Sequence, residues 1–429
     1  MSGNRKMMAI ILSGILFLNG CASTQTSEVP EINVDVLQSY IKSVDEIEYP
    51  KEKQIIALGE ATHGNKELIE LKQTVFEKMI EQGRAVFVIE GDFGGGYRVN
   101  EYIAGADGNA MDAVSEIGFR IYESRELEKV LDFMRKYNEN KKEEEQIRFY
   151  GMDMQRYDNN KEILFDILKK AHSPLEADYN NLLRDFSDET MYDLPKKLIE
   201  DTLTELEKLN EKLEKEKESI IEKTSAKEFD IAKHAALVIW QNTMLRNSGN
   251  QYGTLRDRYM AENTMWILGH EKEFHNNDKI FLSAHNGHLS KTSAIFGTEK
   301  VMGEILAGEL GDNYVVIATE FGKSRFVARD EKTSELTEFF VENTSEGRLA
   351  TLLAPLQKGT LYLDIAAAKT SGDEQAKSYL AANQPFSAVG ERFSKSYEKV
   401  EQAFVQNLSP VESFDGVIFF DELTPFTIR

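Results

Sequence analysis

Seven runs of consecutive apolar residues, each closing on a polar or charged stretch, constrain this chain more than any other feature. They are Gln54–Glu60 (QIIALGE), Ala85–Asp92, Ile147–Met154, Lys279–His285, Asn313–Phe321, Thr360–Ile365 and Gly416–Glu422. A strand with one face in water alternates apolar and polar residues. Runs without alternation need core on both faces, the condition of parallel strands covered by helices. Helical spacing fills the intervals. Leu68, Leu71, Val75, Phe76 and Met79 recur on one face after the first run, and Gly83 stands where that helix would stop. Val130, Phe133, Met134 and Tyr137 do the same before the third. The predicted fold class is α/β, a mainly parallel sheet flanked by helices.

Residues 161–245 break this alternation. The segment carries no strand pattern, is rich in Glu, Lys and Leu, and places Leu206, Leu209, Leu213 and Ile220 at heptad-like spacing. It reads as a long helical hairpin, lid or brace, inserted into a catalytic core of residues 36–160 and 246–429. The amino terminus is separate. Arg5 and Lys6 precede an apolar run from Met7 to Leu18, shorter than the about 20 residues a membrane span takes, as in an export signal. "LNGC" (Leu18–Cys21) and the polar residues after it resemble the lipobox of bacterial lipoproteins, with Asn19 a departure from the usual small or aliphatic residue. Cys21 is the only cysteine, so no internal disulfide can form. The expectation is a signal peptide over 1–20, lipidation of Cys21, a flexible linker over 21–35 and an exported protein. It would be lipid-anchored at the outer face of the cell membrane. A net charge of −22, from 51 basic and 73 acidic residues, excludes nucleic acid as a partner.

In doubly wound sheets ligands bind beyond the carboxyl ends of the strands. Those ends carry Glu60 and His63 with Glu67 a turn later, Glu90 and Asp92, Asp153, then His285, Asn286 and His288, and Glu320. Three of the seven histidines therefore fall at predicted strand ends. Two chemistries suit this set. A histidine can deprotonate water while a carboxylate orients it and another histidine polarises a carbonyl. Alternatively His63, Glu90, His285 and His288 can ligate a divalent metal such as Mn, Co or Zn. "GGGY" (Gly94–Tyr97) lacks the Lys-Ser/Thr of a phosphate loop, and no G-x-S-x-G elbow presents a serine nucleophile. A non-catalytic envelope binding protein is the third reading, against which the intact histidine set counts.

"LGEATHGNKE", "FVIEGD", "RFYGMDMQ", "RDRYMAEN" with Trp266 following, "AHNGHL" and "DGVIFFDELTP" resemble, in order, the sequence blocks of the erythromycin esterase family. They span Ile55 to Pro425. The resemblance implies an α/β core with a helical insertion that forms the substrate cleft, and hydrolysis of a macrolide lactone by water without a cofactor. It implies His63 as general base, Glu60 and Glu90 as its carboxylate partners, and His285 and His288 as the pair that binds and polarises the ester. Lys72 stands where many members carry a basic residue. Glu67, Lys72, Asn286 and Arg256 are the expected substrate-binding residues of a small-molecule ester or lactone, with a structural Arg256–Asp257 pair as the alternative for Arg256. A distant relationship to metal-dependent proteins keeps the metal reading open. Tyr122, in "FRIYESRE", stands where the family usually has tryptophan.

Overall fold

A computed structural model describes residues 29–293, 299–356 and 359–428. The signal peptide and Cys21 lie outside the described residues. All seven apolar runs form strands, here labelled with one addition as β1 (Ile55–Glu60), β2 (Val86–Asp92), β3 (Arg148–Asp153), β4 (Ile280–His285), β5 (Tyr314–Asp330), β6 (Leu336–Glu342), β7 (Thr360–Asp364) and β8 (Gly416–Leu423). They join one sheet in the order β7-β8-β5-β1-β4-β2-β3, with the short strand Ile41–Lys42 outside β7. From β8 to β3 every neighbouring pair is parallel, whereas β7 runs antiparallel to β8.

The lack of alternation has the predicted cause. Ile55, Ala57, Val86, Val88, Ile280, Leu282, Tyr314 and Val316 belong to the core on one face of the sheet. Their sequence neighbours Ile56, Leu58, Phe87, Ile89, Phe281 and Ile317 belong to the core on the other. Helix Lys66–Ile80 buries the anticipated Leu68, Leu71, Val75, Phe76 and Met79 on that second face.

β5 departs from expectation. Its predicted end, near Glu320, lies in mid-strand, and the chain runs on to Asp330 and returns as antiparallel β6. The extension is missing from the apolar pattern because "GKSRFVARD" opens on Gly, Lys, Ser and Arg and holds only three consecutive buried apolar residues, Phe326, Val327 and Ala328. Glu320 is therefore no strand-end ligand: it accepts a hydrogen bond from the Ser387 backbone at 2.8 Å and lies 3.7 Å from Arg348. The linker is also shorter than its polar composition suggests, since Val29, Ile32 and Val34 pack on the core.

The insertion folds as helices Asp158–Lys170, Leu175–Leu182, Lys196–Lys223 and Ala226–Asn247. Ser225 reverses the chain between the last two by capping Glu228. Leu206, Leu209, Leu213 and Ile220 are buried, as their spacing predicts.

The turn after β1 is fixed by contact with distant chain. Gly64 abuts the extension of β5 so closely that a Cβ would stand 1.9 Å from the Val327 carbonyl oxygen. Phe426 donates its backbone N–H to the Gly64 carbonyl at 3.2 Å, and the Thr424 carbonyl accepts from Lys66 at 3.0 Å. Because the obstacle is backbone, Gly64→Ala is expected to lower unfolding free energy by about 1–3 kcal/mol, measured by urea denaturation.

Candidate active site

The register of β1 and β4 sets Glu60 directly opposite His285. Each strand then turns and presents a second histidine: His63 in the turn after β1, and His288 in the single-turn helix Asn286–Leu289 after β4. Glu90 comes from β2 on the far side of β4. Its Oε2 accepts the His285 backbone N–H at 3.0 Å. Parallel pairing of three strands thus gathers the residues that the sequence places apart.

Glu60 is 1% exposed. Its Oε1 accepts from His63 Nδ1 at 2.8 Å, and its Oε2 accepts from Lys72 Nζ at 2.5 Å. Lys72 reaches it from the second turn of helix Lys66–Ile80. Burial alone would raise the Glu60 carboxyl, but the Lys72 ammonium and the His63 hydrogen bond outweigh it and bring it down to about 2. A permanently ionised Glu60 fixes the tautomer of His63, with Nδ1–H donated and Nε2 left to accept. Among the described residues Nε2 has no hydrogen-bond partner. Burial opposes a charge on His63, yet Glu60 and Glu90 raise its pKa above the usual 6.5.

His285 is the opposite case. The Gly287 backbone donates to its Nδ1 at 3.2 Å, so the proton sits on Nε2, which is buried and has no partner among the described residues. Burial, with the positive potential of His63 and His288, pulls its pKa down to about 3. It is a neutral N–H donor whose ring centroid lies 5.3 Å from that of His63.

His288 gives Nδ1–H to Asp257 at 2.8 Å, and its Nε2 lies 3.1 Å from Arg256 Nη1 and 3.4 Å from Glu90 Oε1. Burial would lower its pKa; Asp257 and Glu90 more than offset this and raise it. Arg256 donates to Glu90 at 2.7 Å and to Asp153 at 2.6 and 2.9 Å. Arg256 and Asp257 therefore do not pair with one another as the alternative had it: adjacent on helix Tyr252–His275, they serve Glu90 and His288 separately.

The histidines, Glu90, Arg256 and Asp257 line a cleft of about 630 Å³ walled by Phe119, Ile121, Tyr122, Tyr252 and Val301. Residues 161–245 contribute nothing to its lining, so the insertion does not form this cleft. Glu60 and Lys72 stand behind His63, outside the lining. Asn286 is turned away as well, exchanging hydrogen bonds with the Thr319 backbone at 2.8 and 3.2 Å, which pins the β4 turn to β5. Glu67 holds Thr424 by its backbone N–H at 2.8 Å and by its hydroxyl.

Tyr122 and Asp257 are cleft residues to which the sequence reading gave no role. The Tyr122 hydroxyl lies 3.5 Å from Glu60 Oε1 and its ring meets His63 edge-on at 6.0 Å. The signal for Tyr122 was its stand-in for tryptophan, and for Asp257 its place beside Arg256.

Residues 79–423 match the erythromycin esterase family. Erythromycin esterase type II of Escherichia coli is 26% identical over 289 residues, covering 61% of this chain and 67% of that protein. A Bacillus cereus protein of known crystal structure superposes with a TM-score of 0.79 at 22% identity, covering 93% of this chain and 100% of its own. An erythromycin esterase mutant in an open conformation superposes with a TM-score of 0.65 at 14% identity, over 88% of this chain and 93% of its own. These superpositions establish the α/β fold, and the match over most of its length shows that the chain belongs to the erythromycin esterase family, hydrolases of ester bonds.

Proposed function

We propose that the chain hydrolyses a small-molecule ester or lactone with His63 as general base, without a metal. The observation that carries this reading is the pair of opposite imidazoles. His63 is ionically supported by Glu60 with Nε2 free to accept, and neutral His285 has an unpartnered Nε2–H. Water between them and the carbonyl carbon gives its proton to His63 Nε2. The hydroxide attacks, and His285 Nε2–H and the Arg256 guanidinium, both in the cleft wall, stabilise the oxyanion. Collapse expels the alkoxide, which takes the proton back from His63. The products are the carboxylic acid and the alcohol, or the opened hydroxy acid of a lactone.

The donor set supports a metal-free course on chemical grounds. Lys72 already occupies Glu60 and Arg256 already occupies Glu90, so a divalent cation would meet two resident cations, and Arg256 Nη1 also lies 3.1 Å from His288 Nε2. Cleft volume and its mixed apolar and charged lining favour a substrate with an apolar body. Erythromycin and simple esters, offered in parallel and followed by mass spectrometry, decide which the cleft accepts. The lipobox-like "LNGC" supports anchoring by lipidated Cys21, tested by the mass of the mature chain and of Cys21→Ser.

His63→Ala is expected to lower kcat by about 10²–10⁴ on any ester the protein turns over, while circular dichroism stays native. Wild-type turnover from that variant overturns the mechanism. Because His63 works only when neutral and its pKa is raised, kcat/KM should fall as pH drops through a midpoint above 6.5. In Glu60→Gln that midpoint should move toward acid, since burial and Lys72 then act on His63 with only Glu90 opposing them. Turnover should be unchanged by EDTA and by added Mn, Co or Zn; loss on chelation would put the histidines around a metal.

A further inference from the structure

A second cavity, of about 430 Å³, opens in the helical insertion and shares no lining residue with the catalytic cleft. Leu206 from helix Lys196–Lys223, His234, Ala236, Leu237 and Trp240 from helix Ala226–Asn247, and Trp266 from helix Tyr252–His275 supply its apolar and aromatic wall. His234 is 2% exposed, and neither ring nitrogen has a hydrogen-bond partner among the described residues. The buried Trp240 Nε1–H is equally without one. Unpartnered buried polar groups cost about 1–3 kcal/mol each, so native proteins rarely keep two beside one cavity unless something fills it.

The ring itself is firmly built. Trp266 stacks on His234 with centroids 3.8 Å apart and planes within 5°, and Phe93 meets it edge-on at 4.7 Å. His270 stacks on Trp266 at 4.7 Å. The imidazole is thus held in position by packing, with its hydrogen-bonding capacity unused.

We propose that this cavity is a second small-molecule site, taking a neutral, ring-shaped apolar molecule that carries one hydroxyl or carbonyl group. The ring fits against Trp266, Trp240 and Leu206, and the oxygen meets the free donors of His234 and Trp240. Neutrality follows from the charges at the rim. Asp230 is bonded to His270 at 2.7 Å and Lys233 to Glu214, which leaves neither to pair with a charged ligand, and the remaining charged lining residue, Glu207, is exposed to solvent and not set among the apolar walls. Burial, with His270 nearby, keeps His234 uncharged as well.

The chain has only two tryptophans, and both line this cavity. The catalytic cleft has no tryptophan, but Trp266 also borders a neighbouring cavity with Tyr97 and Tyr150, so the emission change assigned to this site is the part that Leu237→Arg removes. The experiment titrates the protein with benzyl alcohol and, in parallel, with toluene of the same shape. Benzyl alcohol is expected to give a saturable emission change with a dissociation constant on the order of 1 mM, roughly fivefold to tenfold tighter than toluene. His234→Phe, which retains the stack and leaves only Trp240 Nε1–H to meet the oxygen, should at least halve the preference for benzyl alcohol. Leu237→Arg, at a position 40% exposed at the mouth, should weaken both and tests the cavity should His234→Phe not fold. No saturable change with either probe overturns the site. Equal binding of both by the wild type, or a preference unchanged in His234→Phe, overturns the assigned ligand class.

Discussion

Four carboxylates and three imidazoles share one edge of this sheet with almost no water: Glu60, Glu90, Asp153 and Asp257 are each at most 5% exposed. Such a concentration of like charge is tolerable only because cations are buried with it. Lys72 answers Glu60, and Arg256 answers Glu90 and Asp153 together. Everything distinctive about the site follows from this neutralisation. Glu60 stays ionised and so polarises His63, Glu90 stays ionised beside the His285 backbone, and His285, with no carboxylate hydrogen-bonded to its ring, is left neutral. The histidines of one cleft thereby divide: His63 and His288, each bonded to a carboxylate, have raised pKa values, and His285 has a lowered one.

The core of the fold was legible because a sheet covered on both faces writes itself as unbroken apolar runs. β1 to β4 were found nearly to the residue for that reason. The second half of β5 was not, because Gly322, Lys323, Ser324 and Arg325 interrupt its apolar residues. Register was out of reach from sequence alone: nothing in "IIALGE" or "IFLSAH" says that Glu60 faces His285, since that depends on strand order.

Individual site residues were legible by type and position, less so by direction. Glu60, His63, Glu90, His285 and His288 all meet at the predicted edge. Asn286 and Glu67 stand within four residues of them, yet face the Thr319 backbone and Thr424. Both are strand-end or first-turn polar residues of the same kind as those that enter the cleft, and only the local turn decides which way each points. Tyr122 illustrates the converse. It comes from a 3₁₀ turn with no strand signal, and enters the site because its ring fits against His63.

The turn that bears His63 is closed by chain distant in sequence. Thr424 accepts from Lys66 and from the Asn65 side chain, and Glu67 holds Thr424 across 357 positions of sequence. Val327 of β5 donates to the Gly64 carbonyl from another direction. The geometry around His63 is therefore a product of long-range docking and not of its own neighbours, and contacts of such sequence separation form late in folding. Order at this turn reports that the sheet has closed around it.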